Sequence, residues 1–123
     1  MSQNREQIQL YNLSQFKAFA GDNHESLRQI LVVFISSGLK NAAFFRQSIQ
    51  EENRDAVSEL AHKMLPVFRQ LQASDLVSLL SQLERKDLEN TTPDLYFLIG
   101  KMALEKMEEI LKVLQEEENI RMD

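Results

Sequence analysis

The chain has 123 residues, of which 43% are hydrophobic and 27% charged, with a formal net charge of −5. This length fits one domain, taken here as residues 1–123, and the composition is typical of a globular protein. The lack of cysteine excludes a disulfide scaffold, a thiolate metal site and a cysteine nucleophile, and the negative charge argues against nucleic-acid binding.

The first twenty residues predict a polar lead-in followed by a short helix. Residues 1–11 form the lead-in, and three of its side chains are suited to dock on a core: Ile8, Leu10 and Tyr11. The short helix covers about residues 13–20, with Phe16 and Phe19 pointing inward, and Gly21 ends it.

A long second helix is predicted over about residues 23–51. Asp22 is the predicted N-cap, with Glu25 three residues later as its capping-box partner. Apolar or small residues follow at helical spacing and form one inward stripe: Leu27, Ile30, Leu31, Phe34, Gly38, Ala42, Phe45 and Ile49.

Asn53 is the predicted cap of a third helix over about residues 54–71, and a fourth begins at Ala73 or Ser74. The third carries this stripe: Val57, Leu60, Ala61, Met64, Val67, Phe68 and Leu71. The fourth turns this set inward: Leu76, Leu79, Leu80 and Leu83.

A loop over residues 86–91 leads to the last helix, predicted over about 93–119, with Thr92 as cap and Pro93 at its first position. Its expected inner face is Ile99, Met102, Ala103, Met107, Ile110 and Leu114, and residues 120–123 are expected to form a frayed tail. Because the loops are short, we expect an all-α fold, an antiparallel up-and-down four-helix bundle with a short extra N-terminal helix.

His62 does not fit the apolar stripe of the third helix. At about 100° per residue it lies about 160° from the centre of that stripe, so it is predicted to face solvent or a partner. Neutral imidazole is a nucleophile near pH 7 and the chain has no cysteine, so His62 is the leading candidate for covalent chemistry.

Helical spacing places Ser58, Glu59, Leu65, Pro66 and Arg69 on the face of His62. Leu65 is expected to be partly exposed, and Pro66 removes the N–H that would bond to the carbonyl of His62. Ser58, Glu59, Leu65 and Pro66 are therefore candidates for docking another protein.

Residues 16–84 resemble a histidine-containing phosphotransfer (HPt) domain, the phosphoryl carrier of bacterial multistep phosphorelays. The resemblance rests on Phe16-Lys17-Ala18-Phe19-Ala20-Gly21-Asp22, on Glu51-Glu52-Asn53-Arg54-Asp55, and above all on Ala61-His62-Lys63-Met64. It implies a four-helix bundle with an exposed, phosphorylated histidine near the middle of one helix.

The chain departs from the family motif after the histidine. The usual lysine and glycine, three and four residues later, are replaced by Leu65 and Pro66. Arg69 or Lys63 could supply the positive charge that the lysine usually offers. The family also places a Gln or Glu beside the other ring nitrogen, and by register from His62 that residue is Glu84, which would fix the tautomer.

The resemblance implies a stoichiometric phosphotransfer intermediate and not a kinase, since no ATP-binding motif is present. Its partners would be response-regulator receiver domains, which bring the Mg²⁺, so the chain itself would need no cofactor and no metal. HPt domains also occur within hybrid sensor histidine kinases.

Three alternative functions can be considered for this chain. A helical adaptor with a degenerate site would bind a partner through His62, Leu65 and Pro66 without phosphorylation. A metal-binding bundle would need a second copy of the Glu59-x-x-His62 spacing. A dimer built on the last helix is disfavoured because Lys106 and Glu109 interrupt a heptad seam, so a monomer is expected.

The sequence also predicts a cytoplasmic protein without direct membrane contact. The longest apolar run, residues 30–35, is too short to cross a bilayer, and the polar N-terminus shows no signal peptide. A cytoplasmic domain of a membrane-anchored sensor kinase would look the same.

Overall fold

The computed structural model describes residues 10–84 and 91–122. Within these residues it contains five α-helices and no strand, so the chain is all-helical as predicted. The helices are α1 (Ser14–Phe19), α2 (His24–Gln50), α3 (Arg54–Gln70), α4 (Ser74–Glu84) and α5 (Pro93–Glu117). Ile8 and all but the last residue of the predicted loop over 86–91 lie outside the described residues.

Asparagine and threonine side chains begin three of the helices. The side chain of Asn53 accepts a hydrogen bond from the backbone of Ala56, and that of Thr92 accepts one from Leu95, as the sequence predicts. The predicted cap of α2 is wrong by one residue, because Asn23 caps it.

The reason for that shift lies in the backbone of the turn after α1. Asp22 has a φ of 62°, in the left-handed region, directly after Gly21 at 67°. A capping residue needs extended backbone, and Asn23 has it, so its side chain accepts from the N–H of Ser26 at 2.9 Å.

Each of the four longer helices packs against two of the other three. α2 contacts α3 and α5, α4 contacts α3 and α5, and α1 lies on α2. At one end of the core, three rings meet edge to face: Phe16 on Phe34 at 5.7 Å and Phe34 on Phe68 at 5.5 Å between centroids. This stack fixes α1 against α2 and α3.

The contact between α2 and α5 is close at two glycines. Gly38 of α2 faces Leu111 of α5, and Gly100 of α5 faces Ile49 of α2. All four residues are buried. At each contact, a glycine on one helix leaves space for the large side chain on the other, so the two helices can lie close together.

Three predicted inner residues are on the surface: Phe19, Met102 and Val67, of which Val67 is 39% exposed. Phe19 is 77% exposed, because the six-residue α1 is held by Phe16 while Phe19 borders a shallow depression beside Ile30 and Val33. Met102 is exposed too. Met107 lies near the centre of the buried stripe of α5, and Met102 lies about 140° around the helix from it.

The segments outside the helices also contact the core. Leu10 and Tyr11 are half-buried against it, and the Tyr11 hydroxyl donates a hydrogen bond to Glu117 Oε1 at 2.6 Å. Residues 118–122 are not helical, and Ile120 among them is buried in the core. Across residues 10–84 and 91–122, no helix has both the length and the apolar character needed to span a bilayer.

Candidate functional site

His62 lies near the middle of α3 with its ring in solvent. Ala61, Met64 and Leu65 around it are buried, while the His62 side chain is 80% exposed. The helix therefore turns its apolar side chains inward and leaves the imidazole on the outer face, as the periodicity of the sequence predicts.

Glu84, on α4, reaches the ring of His62. Its Oε1 atom lies 2.5 Å from Nδ1 of His62, and the carboxylate is 30% exposed. An ionised carboxylate can only accept, so a neutral imidazole must donate from Nδ1–H. Nε2 then carries the lone pair on the solvent side of the ring.

Ser58 supports the same contact from one turn earlier on α3. Its hydroxyl donates to the backbone carbonyl of Glu84 at 3.5 Å, a long hydrogen bond. The sequence assigned Ser58 to partner docking, and the structure gives its hydroxyl this partner within the chain. Glu59 and Pro66 are exposed on the face of His62, in keeping with their predicted position.

The expected exposure of Leu65 is wrong, because the side chain is only 1% exposed. α3 packs against both α2 and α4, so a wider sector of its surface is covered than one apolar stripe. Leu65 belongs to the core and contributes no surface to a docking face.

The two basic candidates lie in different places. Lys63, directly after His62, lines a groove of about 330 Å³ between α2 and α3, together with Val33, Met64 and Val67. Arg69 lies about 10 Å further along the helix axis, in a depression that it shares with Gln72 and Ser74. Lys63 is the nearer of the two to His62 along the helix axis, whereas Arg69 shares the helix face of His62 two turns later.

Tyr96 is a residue that the sequence analysis missed. It is buried at the start of α5, and its hydroxyl donates to the carbonyl of Leu83, next to Glu84, at 2.8 Å. Burial raises the pKa of Tyr96 above its usual value. Glu84 could be expected from the resemblance to HPt domains, but no spacing rule connects α3 or α4 to a tyrosine on α5.

Among residues 10–84 and 91–122, no three His, Asp or Glu side chains cluster in a way that could hold a metal ion. Glu59 precedes His62 by three residues on α3, and Glu84 contacts it from α4. The second Glu-x-x-His pair that a metal-binding bundle would need is not found among the described residues.

Comparison with known proteins gives no relative. No family model matches the chain, and no curated protein or solved structure is similar to it. The function must therefore be inferred from the geometry around His62.

Proposed function

We propose that this protein is a phosphoryl carrier of a two-component phosphorelay, with His62 as the residue that receives the phosphoryl group. The observation that carries the proposal is the pair formed by the exposed ring of His62 and the Glu84 carboxylate, 2.5 Å from Nδ1. This pair leaves Nε2 as an accessible nucleophile of defined tautomer.

In the proposed reaction, Nε2 attacks the phosphorus of an aspartyl phosphate on a receiver domain. A P–N bond forms as the P–O bond to the aspartate breaks, and the aspartate leaves as a carboxylate. The ring gains positive charge, which Glu84 balances while Nδ1 keeps its proton. Attack by the aspartate of a second receiver reverses these steps and returns His62 to its neutral form.

The partner supplies what this chain does not. In phosphorelays of the kind that residues 16–84 resemble, the receiver holds Mg²⁺ and a lysine that stabilise the transferring group. The carrier then needs only a nucleophile, a fixed tautomer and room for the receiver. The phosphoryl group is passed stoichiometrically, without ATP.

We also propose that α2 to α5 form an antiparallel up-and-down four-helix bundle. The two glycine contacts support this arrangement, because Gly38 faces Leu111 while the later Ile49 faces the earlier Gly100. Contacts that run in opposite chain order are those of antiparallel helices. We propose further that the protein acts as a cytoplasmic monomer, alone or as part of a hybrid sensor kinase.

A second function, that of an adaptor without phosphorylation, is favoured by one observation. The groove beside Lys63 is bordered by the exposed side chains of Val33 and Val67. An apolar surface of this kind can bind another protein whatever the chemistry of His62. The groove is a different surface from the predicted adaptor face of His62, Leu65 and Pro66. Leu65 is buried, and only His62 and Pro66 of that predicted face are exposed.

The test is phosphoryl transfer from candidate receivers whose aspartate has been phosphorylated. We expect the label to move to this chain in an acid-labile, base-stable form and to map to His62. His62→Gln should abolish labelling, whereas His24→Gln, which removes the other histidine, should not affect it. His24 is a matched control because it is exposed at the start of α2.

Two results would contradict the proposal. Label that persists in His62→Gln would place the modified residue elsewhere. Receiver binding without any label in the natural sequence would identify an adaptor.

A further inference from the structure

Tyr96 is placed to control the approach of Glu84 to His62. The residue is 1% exposed, and its hydroxyl donates to the carbonyl of Leu83 at 2.8 Å. Leu83 directly precedes Glu84, whose carboxylate contacts His62. A side chain of α5 is thus bonded to the backbone of α4 one residue before the carboxylate that orients the imidazole.

The same side chain also contacts α3. The guanidinium of Arg54 lies over the ring of Tyr96, 4.4 Å from its centroid, and the Arg54 carbonyl lies 3.5 Å from the hydroxyl. Ser58, one turn later on α3, donates to the carbonyl of Glu84. Three helices therefore meet at the start of α3, and their shared contacts hold residues 83 and 84 against it.

We infer that Tyr96 is a positioning residue for the nucleophile, acting through Leu83 and Glu84 to set the tautomer of His62. A glutamate side chain has three rotatable bonds, so a fixed backbone at residue 84 limits the orientations from which its carboxylate can contact Nδ1, 2.5 Å away. The Tyr96 hydroxyl restrains that backbone from a buried position, and Glu84 is left free to point outward to the ring.

The phenol is suited to this task because it keeps its proton. Burial raises the pKa of Tyr96, so the hydroxyl stays a donor at neutral and moderately alkaline pH. The ring itself packs edge to face on Phe97, with 5.3 Å between centroids. Removing only the hydroxyl therefore leaves most of the packing of this residue in place.

The inference deepens the proposed function, but its first test needs no phosphoryl transfer. Long-range ¹H–¹⁵N NMR spectra of the imidazoles report which ring nitrogen carries the proton. Glu84→Ala, which removes the acceptor, defines the signals of a His62 ring that is no longer oriented. We expect Tyr96→Phe to move the His62 signals in the same direction, with less proton density on Nδ1.

Tyr11→Phe is the matched control, since Tyr11 is the other tyrosine of the chain and its hydroxyl also donates a hydrogen bond, to Glu117. It should leave the His62 signals unchanged. p-Aminophenylalanine at position 96 restores a donor and should return the signals to those of the natural protein. With a competent receiver, we expect Tyr96→Phe to slow labelling about fivefold, which corresponds to the net contribution of one hydrogen bond.

His62 signals in Tyr96→Phe that match the natural protein, while those of Glu84→Ala differ, would overturn the inference. So would a p-aminophenylalanine variant that folds but keeps the signals of a disordered ring. The two proposals can fail separately. Unchanged His62 signals in Tyr96→Phe would contradict the role of Tyr96, whatever the labelling result. Failure of receivers to label the natural protein would contradict the carrier function, whatever the NMR result.

Discussion

The imidazole of His62 and the carboxylate of Glu84 come from positions 22 residues apart and meet at 2.5 Å. An exposed histidine alone exchanges its proton between two nitrogens, and either can face a partner. Glu84 removes that ambiguity, because its carboxylate only accepts hydrogen bonds and faces Nδ1, so the proton of the neutral ring is on Nδ1. In the proposed phosphoryl carrier, the outward nitrogen Nε2 would be the nucleophile, and a fixed tautomer would let it meet an aspartyl phosphate in one orientation.

Lys63 is the basic residue that we expect to influence the phosphorylated form. A phosphoryl group adds between one and two negative charges, and Lys63 is adjacent to His62 and exposed. Lys63→Ala should lower the equilibrium fraction of phosphorylated protein about threefold, since a surface charge pair contributes up to about 1 kcal/mol. Arg69→Ala should have the smaller effect because it lies about 10 Å further along the helix.

The equilibrium fraction is measured by titrating each variant with one phosphorylated receiver at low ionic strength and again at high salt. The effect of Lys63→Ala should shrink with salt, as screening requires. Equal effects of Lys63→Ala and Arg69→Ala would show that neither charge acts on the phosphoryl group locally.

At the residue scale, the sequence was sufficient where one helix determines the environment. The outward position of His62 follows from the apolar stripe of α3, whereas Glu84 was expected from the resemblance to HPt domains, which place Gln or Glu there. Leu65 and Tyr96 were not predictable in this way. The burial of Leu65 depends on α4 covering a second sector of α3, and the bond of Tyr96 depends on where α5 begins relative to Leu83.

Helix boundaries were predicted well because capping is local chemistry. Asn53 and Thr92 each accept from the backbone three residues later, and this needs only the sequence around the helix start. Asp22 shows the limit of such reasoning. The turn at Gly21 places Asp22 in the left-handed region as well, and the next residue with extended backbone, Asn23, caps α2. Phe19 and Met102 were assigned to the core from spacing alone, whereas their exposure depends on which neighbouring helix covers them.

Pro66 is the feature of α3 that local physics disfavours most. It lies inside the helix, is exposed, and cannot donate the N–H that the carbonyl of His62 would accept in an uninterrupted helix. Pro66→Ala should restore that hydrogen bond and raise the free energy of unfolding by about 1 to 3 kcal/mol. Urea denaturation followed by circular dichroism measures the difference.

The other proline of the chain is the control for this prediction. Pro93 occupies the first turn of α5, where a missing N–H has no cost, so Pro93→Ala should change stability by less than about 0.5 kcal/mol. A Pro66→Ala variant no more stable than Pro93→Ala would show that the fold already accommodates the interruption. In that case Pro66 would not lower the free energy of unfolding, and its presence beside His62 would need no functional explanation.

For the whole molecule, the site depends on how four helices are spaced. His62 is on α3, Glu84 on α4 and Tyr96 on α5, while α2 packs against both α3 and α5. A shift of α5 away from α2 would move Tyr96, and with it the bond to Leu83. The contact between α2 and α5 is therefore the remote part of the structure to which the site should be most sensitive.

Gly38 sets that contact at its closest point. A Cβ atom added there would lie 2.8 Å from Cδ2 of Leu111, which is buried, so Gly38→Ala must either move Leu111 or push α5 outward. We expect a net loss of about 1 to 2 kcal/mol, since overpacking of about 1 to 3 kcal/mol exceeds the gain of up to about 1 kcal/mol in helix propensity.

Gly100→Ala tests the same interface with the opposite expected sign. Its added Cβ would lie 3.4 Å from the side chain of Ile49, close to an ordinary contact, so the gain in helix propensity should prevail and stability should rise by up to about 1 kcal/mol. Denaturant titrations of the two variants give the comparison, and His62 NMR signals report whether the site has moved. Equal stabilisation by both alanines would mean that α2 and α5 are not held at the spacing that Gly38 and Leu111 indicate, and the proposed dependence of the His62 site on this interface would fail with it.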